Sequence, residues 1–331
     1  MLDVLPRFSA ATLALDPAVE TEKIVAALRA QLRTQRKRGL VLGLSGGIDS
    51  SVSLALAVRA VGANNVQALY MPERDSDPES LELGRLVAAA FGVEGIVEDI
   101  GPVLDGLGCY ARRDAAIREI VPAYGDGWAC KVVIGQAEGG GGYNISSLVV
   151  QDPAGKRSTH RMPLAVYLGV VAATNMKQRT RKQLEYYHAD RLNYAVLGTP
   201  NRLEYDQGFF VKNGDGAADV KPIAHLYKSQ VYALAGYLGV PAEIRRRPPT
   251  TDTYSLPQSQ EEFYFALPYD RMDLCLYGLN HDVPAADVAR AAGLTEAQVW
   301  HVWSDIQSKR RATRYLHAGP QLVEPVGEVT L

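Results

Sequence analysis

The chain has 331 residues, 47% of them hydrophobic and 22% charged, ordinary values for a globular protein long enough to bury a large core. Its formal net charge of −2 gives no support for a nucleic-acid polyanion as the main partner. Three cysteines, Cys109, Cys130 and Cys275, form no CxxC pair, and their odd number argues against a disulfide framework and fits a reducing cytoplasm.

The start, MLDVLPRFSAATLALDPAVE, lacks the charged opening and long apolar run of a signal peptide. No apolar run approaches the ~18 residues of a membrane span. Residues 17 to 37 predict a helix, with Ile24, Leu28 and Leu32 on one face and a basic end suited to a helix C-terminus. LVLGLS predicts a short apolar strand, and SVSLALAVRAVG a helix ending at Gly62. VQALYMP, SLELGRLVAAAFG and EGIVEDIG continue the alternation as strand, helix, strand. Short links between alternating strands and helices indicate a parallel α/β sheet.

The rhythm breaks between about 125 and 165. That stretch is rich in β-branched residues and is punctuated by Gly139 to Gly142 and by the turn sequence DPAGK. Two or three antiparallel strands inserted into the α/β unit are expected there. From Leu168 the pattern resumes with one long helix over GVVAATNMKQRTRKQLEYYHADRL, a buried strand at YAVLGT and a helix at YKSQVYALAGYLG. The proline-rich RRRPPTTDTYSLPQSQEE reads as irregular. AADVARAAG and TEAQVWHVWSDIQSKRRATRYL read as late helices, and residues 318–331 as a tail. One domain over 1–331, carrying the insert, is expected.

The stretch LGLSGGIDSS places a Gly-rich turn between the first strand and its helix. Backbone N–H groups and the helix N-terminus make such a turn an anion site. Gly46 and Gly47 let the main chain approach a phosphate, Ser45, Ser50 and Ser51 add hydroxyls, and Gly43 joins them as an ATP-binding residue. Asp49 would repel a phosphate unless a cation lay between, so it implies Mg²⁺. The alternative is a glycine-rich turn with a capping aspartate. The string is neither GxxxxGK[ST] nor GxGxxG.

SGGxDS resembles the pyrophosphate loop of the N-type ATP pyrophosphatases, which cleave ATP between its α and β phosphates. LGTPNRLEYDQGFFVKNGDGAADVKPIAHLYKSQV resembles the ammonia-dependent NAD synthetases. The matching positions are Gly198, Thr199, Glu204, Gly208, Phe209, Lys212, Gly214, Asp215, Gly216, Asp219, Pro222 and Lys228. NMKQRTR resembles the family's arginine helix at Asn175, Arg179 and Arg181, and PTTD and KRRATR resemble its later motifs. The resemblance covers about 17–105 and 170–315.

It implies a Rossmann-like, adenine-nucleotide α-hydrolase type fold. It implies a ligase that adenylates a carboxylate, releases pyrophosphate and lets ammonia attack, with deamido-NAD the expected acid. By the same resemblance Asp49 and Glu204 are the Mg²⁺ ligands, and Arg179 and Lys228 the phosphate cations, acting with Asp49 in catalysis. Thr199 and Thr250 join the loop as ATP contacts, and Asn175, Phe209, Lys212, Asp215 and Asp219 meet the acyl substrate. The implied assembly is a cytoplasmic homodimer using free ammonia or a separate glutaminase, with no nucleic-acid or membrane partner.

Duller readings stand beside these. Arg179 lies among Lys177, Arg181 and Lys182, where a charge run is usually a solvated face. Glu204 could be a surface residue, and GFFVKNGDG only a tight turn. The histidines show no HxH or HExxH spacing, so zinc is not expected. The insert, Asn213, Glu261, Phe265, Ala266 and Ser308 depart from the family pattern on the acyl side. They suggest a divergent member, or a relative acting on another acid. A nucleotide-sensing module is the non-enzymatic reading.

Overall fold

The first helix, α1 (Pro17–Gln35), begins where Asp16 accepts the N–H groups of Ala18 and Val19 at 2.8 and 3.2 Å and Pro17 supplies a preset φ. The structure is a computed structural model that describes residues 7–135, 145–249, 253–257, 260, 264–265 and 267–327. After α1 come β1 (Leu40–Gly43), α2 (Ile48–Val61), β2 (Val66–Tyr70), α3 (Pro78–Ala90) and β3 (Gly95–Val97). The sequence places α3 slightly late, because Pro78 opens it behind an Asp77 cap.

The four-stranded sheet has the order β3-β2-β1-β7, where β7 spans Ala195–Val196, and every pair is parallel. Alternation along β1 explains why its residues are apolar without a break. Leu40 and Leu42 pack into the core beneath α1 and α2, while Val41 joins Leu69 and Met71 in the core on the other face. The strand expected over YAVLGT is shorter than its sequence suggests: after Val196 only Leu197 continues the pairing, in a bridge to Val220.

The crossover from β3 to β7 carries α4 (Gly101–Gly106) and α5 (Cys109–Arg118), then β4 (Ala129–Gly135), β5 (Ile145–Gln151), β6 (Arg157–Arg161) and α6 (Leu164–Leu192). The insert is therefore a three-stranded antiparallel sheet, β4-β5-β6. DPAGK turns the chain as its residues dictate: the Asp152 carboxylate accepts Lys156 N–H at 2.9 Å. Gly139 to Gly142 lie outside the described residues. Period-two alternation sends Cys130, Val132, Leu148 and Val150 inward against Ile117, Val166 and Val170. The long helix α6 starts at Leu164, before the expected Leu168, because the insert ends directly at its Pro163 cap.

The remainder is helical: α7 (Arg202–Gln207), α8 (Lys228–Leu238), α9 (Ala242–Arg246), α10 (Tyr269–Asn280), α11 (Ala285–Ala292) and α12 (Glu296–His317). The last three share a core around Met272, Val288 and Trp303. Residues 318–327 are exposed and carry no regular element. All three cysteines are buried and free. Among the described residues no helix is long and apolar enough to cross a membrane.

Candidate active site

A cavity of about 1280 Å³ opens over the C-terminal ends of β1, β2 and β7. That is where open parallel sheets bind ligands. The Gly-rich loop lines it from Gly43 to Ser50. The loop turns at Gly46, whose φ is +73° and where a Cβ would meet Leu83 Cβ at 2.7 Å and the Ser80 carbonyl at 2.9 Å. Ser51 N–H makes the first α-helical bond, to the Gly47 carbonyl at 3.1 Å. The N–H groups just before it therefore have no acceptor within the helix. Ser45 and Ser50 line the cavity. Ser51 does not: it is fully buried, and its hydroxyl donates to the Gly47 carbonyl at 2.7 Å.

Asp49 sits in the first turn of α2 and forms an ion pair with Lys228, which is 0% exposed at the start of α8. A lysine there opposes the helix dipole. The conflict is relieved from α10: the Asp273 carboxylate accepts Lys228 N–H at 3.2 Å and Ser229 N–H at 2.8 Å. Burial works against the Lys228 ammonium, but Asp49 and Glu204 outweigh it and hold its pKa above the usual lysine value. Lys228 meets the cavity through Asp49 and does not itself line it.

Glu204 reaches the same cluster through a capping box. Asn201 accepts Leu203 N–H and Glu204 N–H at 2.9 and 3.2 Å, and Glu204 accepts Asn201 N–H at 3.0 Å. Asn201 also donates to Asp49 at 3.1 Å, so one side chain links the two carboxylates' helices. Gln260 donates to the other Glu204 oxygen at 3.1 Å. Burial, and then the nearby charge of Asp49, push the Glu204 pKa up to about 8. Asn201 and Gln260 are absent from the sequence reading. The N-x-x-E spacing at Asn201–Glu204 is the signal that could have found the first; Gln260 has no local signal.

One face of α6 forms the opposite wall. Val171, Thr174, Asn175, Gln178, Arg179, Arg181, Lys182 and Glu185 line the cavity at helical spacing, over about 21 Å of helix. The charge run is thus partly a cavity wall and only partly a solvated face. Arg179 donates to the Lys212 carbonyl at 3.2 Å, and Arg181 to the Met71 carbonyl at 3.3 Å.

The loop after α7 brings Phe209, Lys212 and Asp215 to the cavity. Phe209 stacks on Tyr264 at 4.6 Å. Lys212 Nζ donates to the Tyr315 and Ala318 carbonyls at 2.7 and 2.9 Å, tying the loop to the end of α12. Asp215 accepts Val211 N–H at 2.8 Å and so shapes the turn. Asp219 is not brought to the cavity: it accepts Val196 N–H at 2.7 Å and pins the loop to β7. Thr199 lines the cavity just beyond β7. Thr250, Glu261 and Ala266 lie outside the described residues. Phe265 is buried against Phe209 and Tyr269 in the core of the last helices.

A second charged cluster was not anticipated. Lys177, 1% exposed, donates to Glu73 at 2.8 Å, Asp75 at 2.7 Å and the Thr253 carbonyl at 2.9 Å. Arg113 from α5 reaches Asp75 at 2.5 Å, and Tyr110 donates to Glu73 at 2.8 Å. Burial alone would raise the Asp75 pKa, but Lys177 and Arg113 hold it below the ordinary aspartate value.

A four-stranded parallel sheet with an SGGxDS loop at the head of α2 defines an adenine-nucleotide α-hydrolase-like α/β protein. The NAD synthase family model matches residues 20–119 and 158–314, and the chain belongs to that family. It is 77% identical over 322 residues to the NH(3)-dependent NAD(+) synthetase of Rhizobium meliloti (strain 1021), covering 97% of this chain and 96% of that one. Two solved structures share the fold at a TM-score of 0.62. They are the NH3-dependent NAD synthetase of Campylobacter jejuni (22% identical, covering 94% of this chain and 100% of that one) and the NMN synthetase of Francisella tularensis (20%, covering 95% and 100%). The expected divergence is corrected by the first of these relatives. With 322 of 331 residues aligned, too few remain for the whole of 120–157 to be absent from it.

Proposed function

We propose that this chain is an ammonia-dependent NAD synthetase. The carboxylate of deamido-NAD attacks the α-phosphorus of ATP, and pyrophosphate leaves. Ammonia then adds to the acyl carbon of the adenylate, AMP departs with the bonding pair, and the nitrogen gives up a proton to water. The observation that carries this reading is the convergence of the Gly-Ser loop, the Asp49–Lys228–Glu204 cluster and Arg179 on one cavity. The 77% identical relative is named for this activity.

Negative charge gathers on phosphate and acyl oxygens in both steps, and fixed donors and cations stabilise it. Ser45, Ser50 and the open N–H groups of α2 would hold the phosphates, and Arg179 and Arg181 supply guanidinium donors from α6. No side-chain nucleophile is needed, because the adenylate is the activated group. Phe209, Tyr264 and Asn175 line the part of the cavity read here as the acyl-substrate side.

Asp49 and Glu204 fit a Mg²⁺ site. Glu204, buried and repelled by Asp49, holds its proton to about 8, and a cation would relieve that repulsion. Among the described residues no three metal-type side chains converge. The two carboxylates would therefore share the ion with phosphate oxygens and water, as Mg²⁺ usually is. When bound, the ion would neutralise phosphate charge.

We read the chain as one domain with an insert at about 125–165 and a tail from 318, working as a cytoplasmic homodimer on free ammonia. The test of the activity is a pyrophosphate-release screen with ATP, Mg²⁺ and ammonia, offering deamido-NAD beside a panel of other carboxylic acids. Release confined to another acid would overturn the substrate, and no release with any acid would overturn the ligase.

A further inference from the structure

The Lys182–Glu185 pair lies at the C-terminal end of the α6 wall and has no part in the mechanism above. Both residues line the cavity, yet they are only 5% and 6% exposed. Glu185 Oε2 accepts Lys182 Nζ at 2.5 Å. Its other oxygen accepts no hydrogen bond from any described residue and stands 3.1 Å from where a Cβ would sit on Gly43. Because Glu185 lines the cavity, that oxygen is open to accept a hydrogen bond from a bound ligand. Glu185 therefore faces the end of β1, beside Met71 and Leu197 at the ends of β2 and β7.

We propose that Lys182 and Glu185 read the hydrogen-bonding edge of the nucleotide base and select a 6-aminopurine. The proposal rests on the reading of ATP as substrate. With the triphosphate on the Ser45–Ser50 loop and the acyl substrate beside Phe209 and Tyr264, the strand ends in front of Glu185 offer a floor for the base next to the loop. Adenine presents an amine donor next to a ring-nitrogen acceptor. The open Glu185 oxygen takes the amine proton, and Lys182, with donors left over from its single bond, serves the ring nitrogen. A 6-oxopurine presents the reverse order, acceptor then donor. A buried ion pair cannot swap ends to meet it.

Pyrophosphate release is measured at varied ATP and ITP for the wild type, Glu185→Gln and Glu185→Asp. The wild type is expected to favour ATP over ITP about 10- to 100-fold in kcat/KM. A glutamine amide offers both a donor and an acceptor and can turn to suit either base, so E185Q should cut that ratio to about threefold or less. E185D, which keeps the charge but withdraws it by one methylene, should also lower the ratio and stands in if E185Q does not fold. Equal use of ATP and ITP by the wild type would overturn the proposal. So would an unchanged ratio in either active variant, or a change confined to the ratio of ATP to 2′-deoxy-ATP, which would assign Glu185 to the ribose. Robust wild-type release with ATP in any of these cases leaves the underlying ATP reading standing, and its absence removes that reading instead.

Discussion

Asp49 and Glu204 share one ammonium, Lys228, and that arithmetic governs their chemistry. A buried and a half-buried carboxylate opposite one cation leave a surplus negative charge; burial first, and then the Asp49 charge, push the Glu204 pKa up to about 8. Replacing Asp49 by alanine would strand the fully buried Lys228, so the isosteric Asp49→Asn and Glu204→Gln separate chemistry from folding more cleanly. Each should lower pyrophosphate release by at least about 100-fold, with circular dichroism unchanged. The pH dependence follows from Glu204. Its folded pKa lies above the ordinary glutamate value of 4.5, so its contribution to stability is full below that value and is lost as pH rises through about 8. Without metal or nucleotide, the thermal midpoint should therefore fall over that window in the wild type and fall less in E204Q. A parallel pair of curves would contradict the assignment.

At the scale of elements, the cavity depends on segments held from a distance. Lys177 joins the loop after β2 to Thr253, and Arg113 joins the same loop to α5. Lys177→Met would leave Glu73 and Asp75 short of a buried partner. It should cost about 3 to 5 kcal/mol in denaturant unfolding, and a loss under about 1 kcal/mol would show that the network is dispensable.

This network also marks what the sequence could not show. Glu73, Asp75, Arg113 and Lys177 come from three segments far apart in the chain, and nothing local distinguishes them from surface charges. The Gly-Ser loop was legible because strand, turn and helix are consecutive. The insert was legible from its alternation and its DPAGK turn. A motif position says nothing of where a side chain points, and one oxygen of Asp219 accepts Val196 N–H. The same holds for Ser51, whose hydroxyl turns back onto its own helix. The helix α7 escaped notice at six residues, although its capping box was written in Asn201 and Glu204.

For the whole molecule, the sheet order places the switch between β1 and β7 under the cavity, and the insert closes one side with Val132. The family resemblance implies a homodimer, so sedimentation should give twice the 36.0 kDa of one chain. A monomer at working concentration would contradict that assembly. The central claim is tested most directly by product analysis with ATP, Mg²⁺, ammonia and deamido-NAD. AMP, pyrophosphate and NAD should appear in equal amounts, and without ammonia no NAD should form and pyrophosphate should stop at about one per site. Pyrophosphate without NAD, or no turnover of deamido-NAD while another acid is amidated, would contradict it.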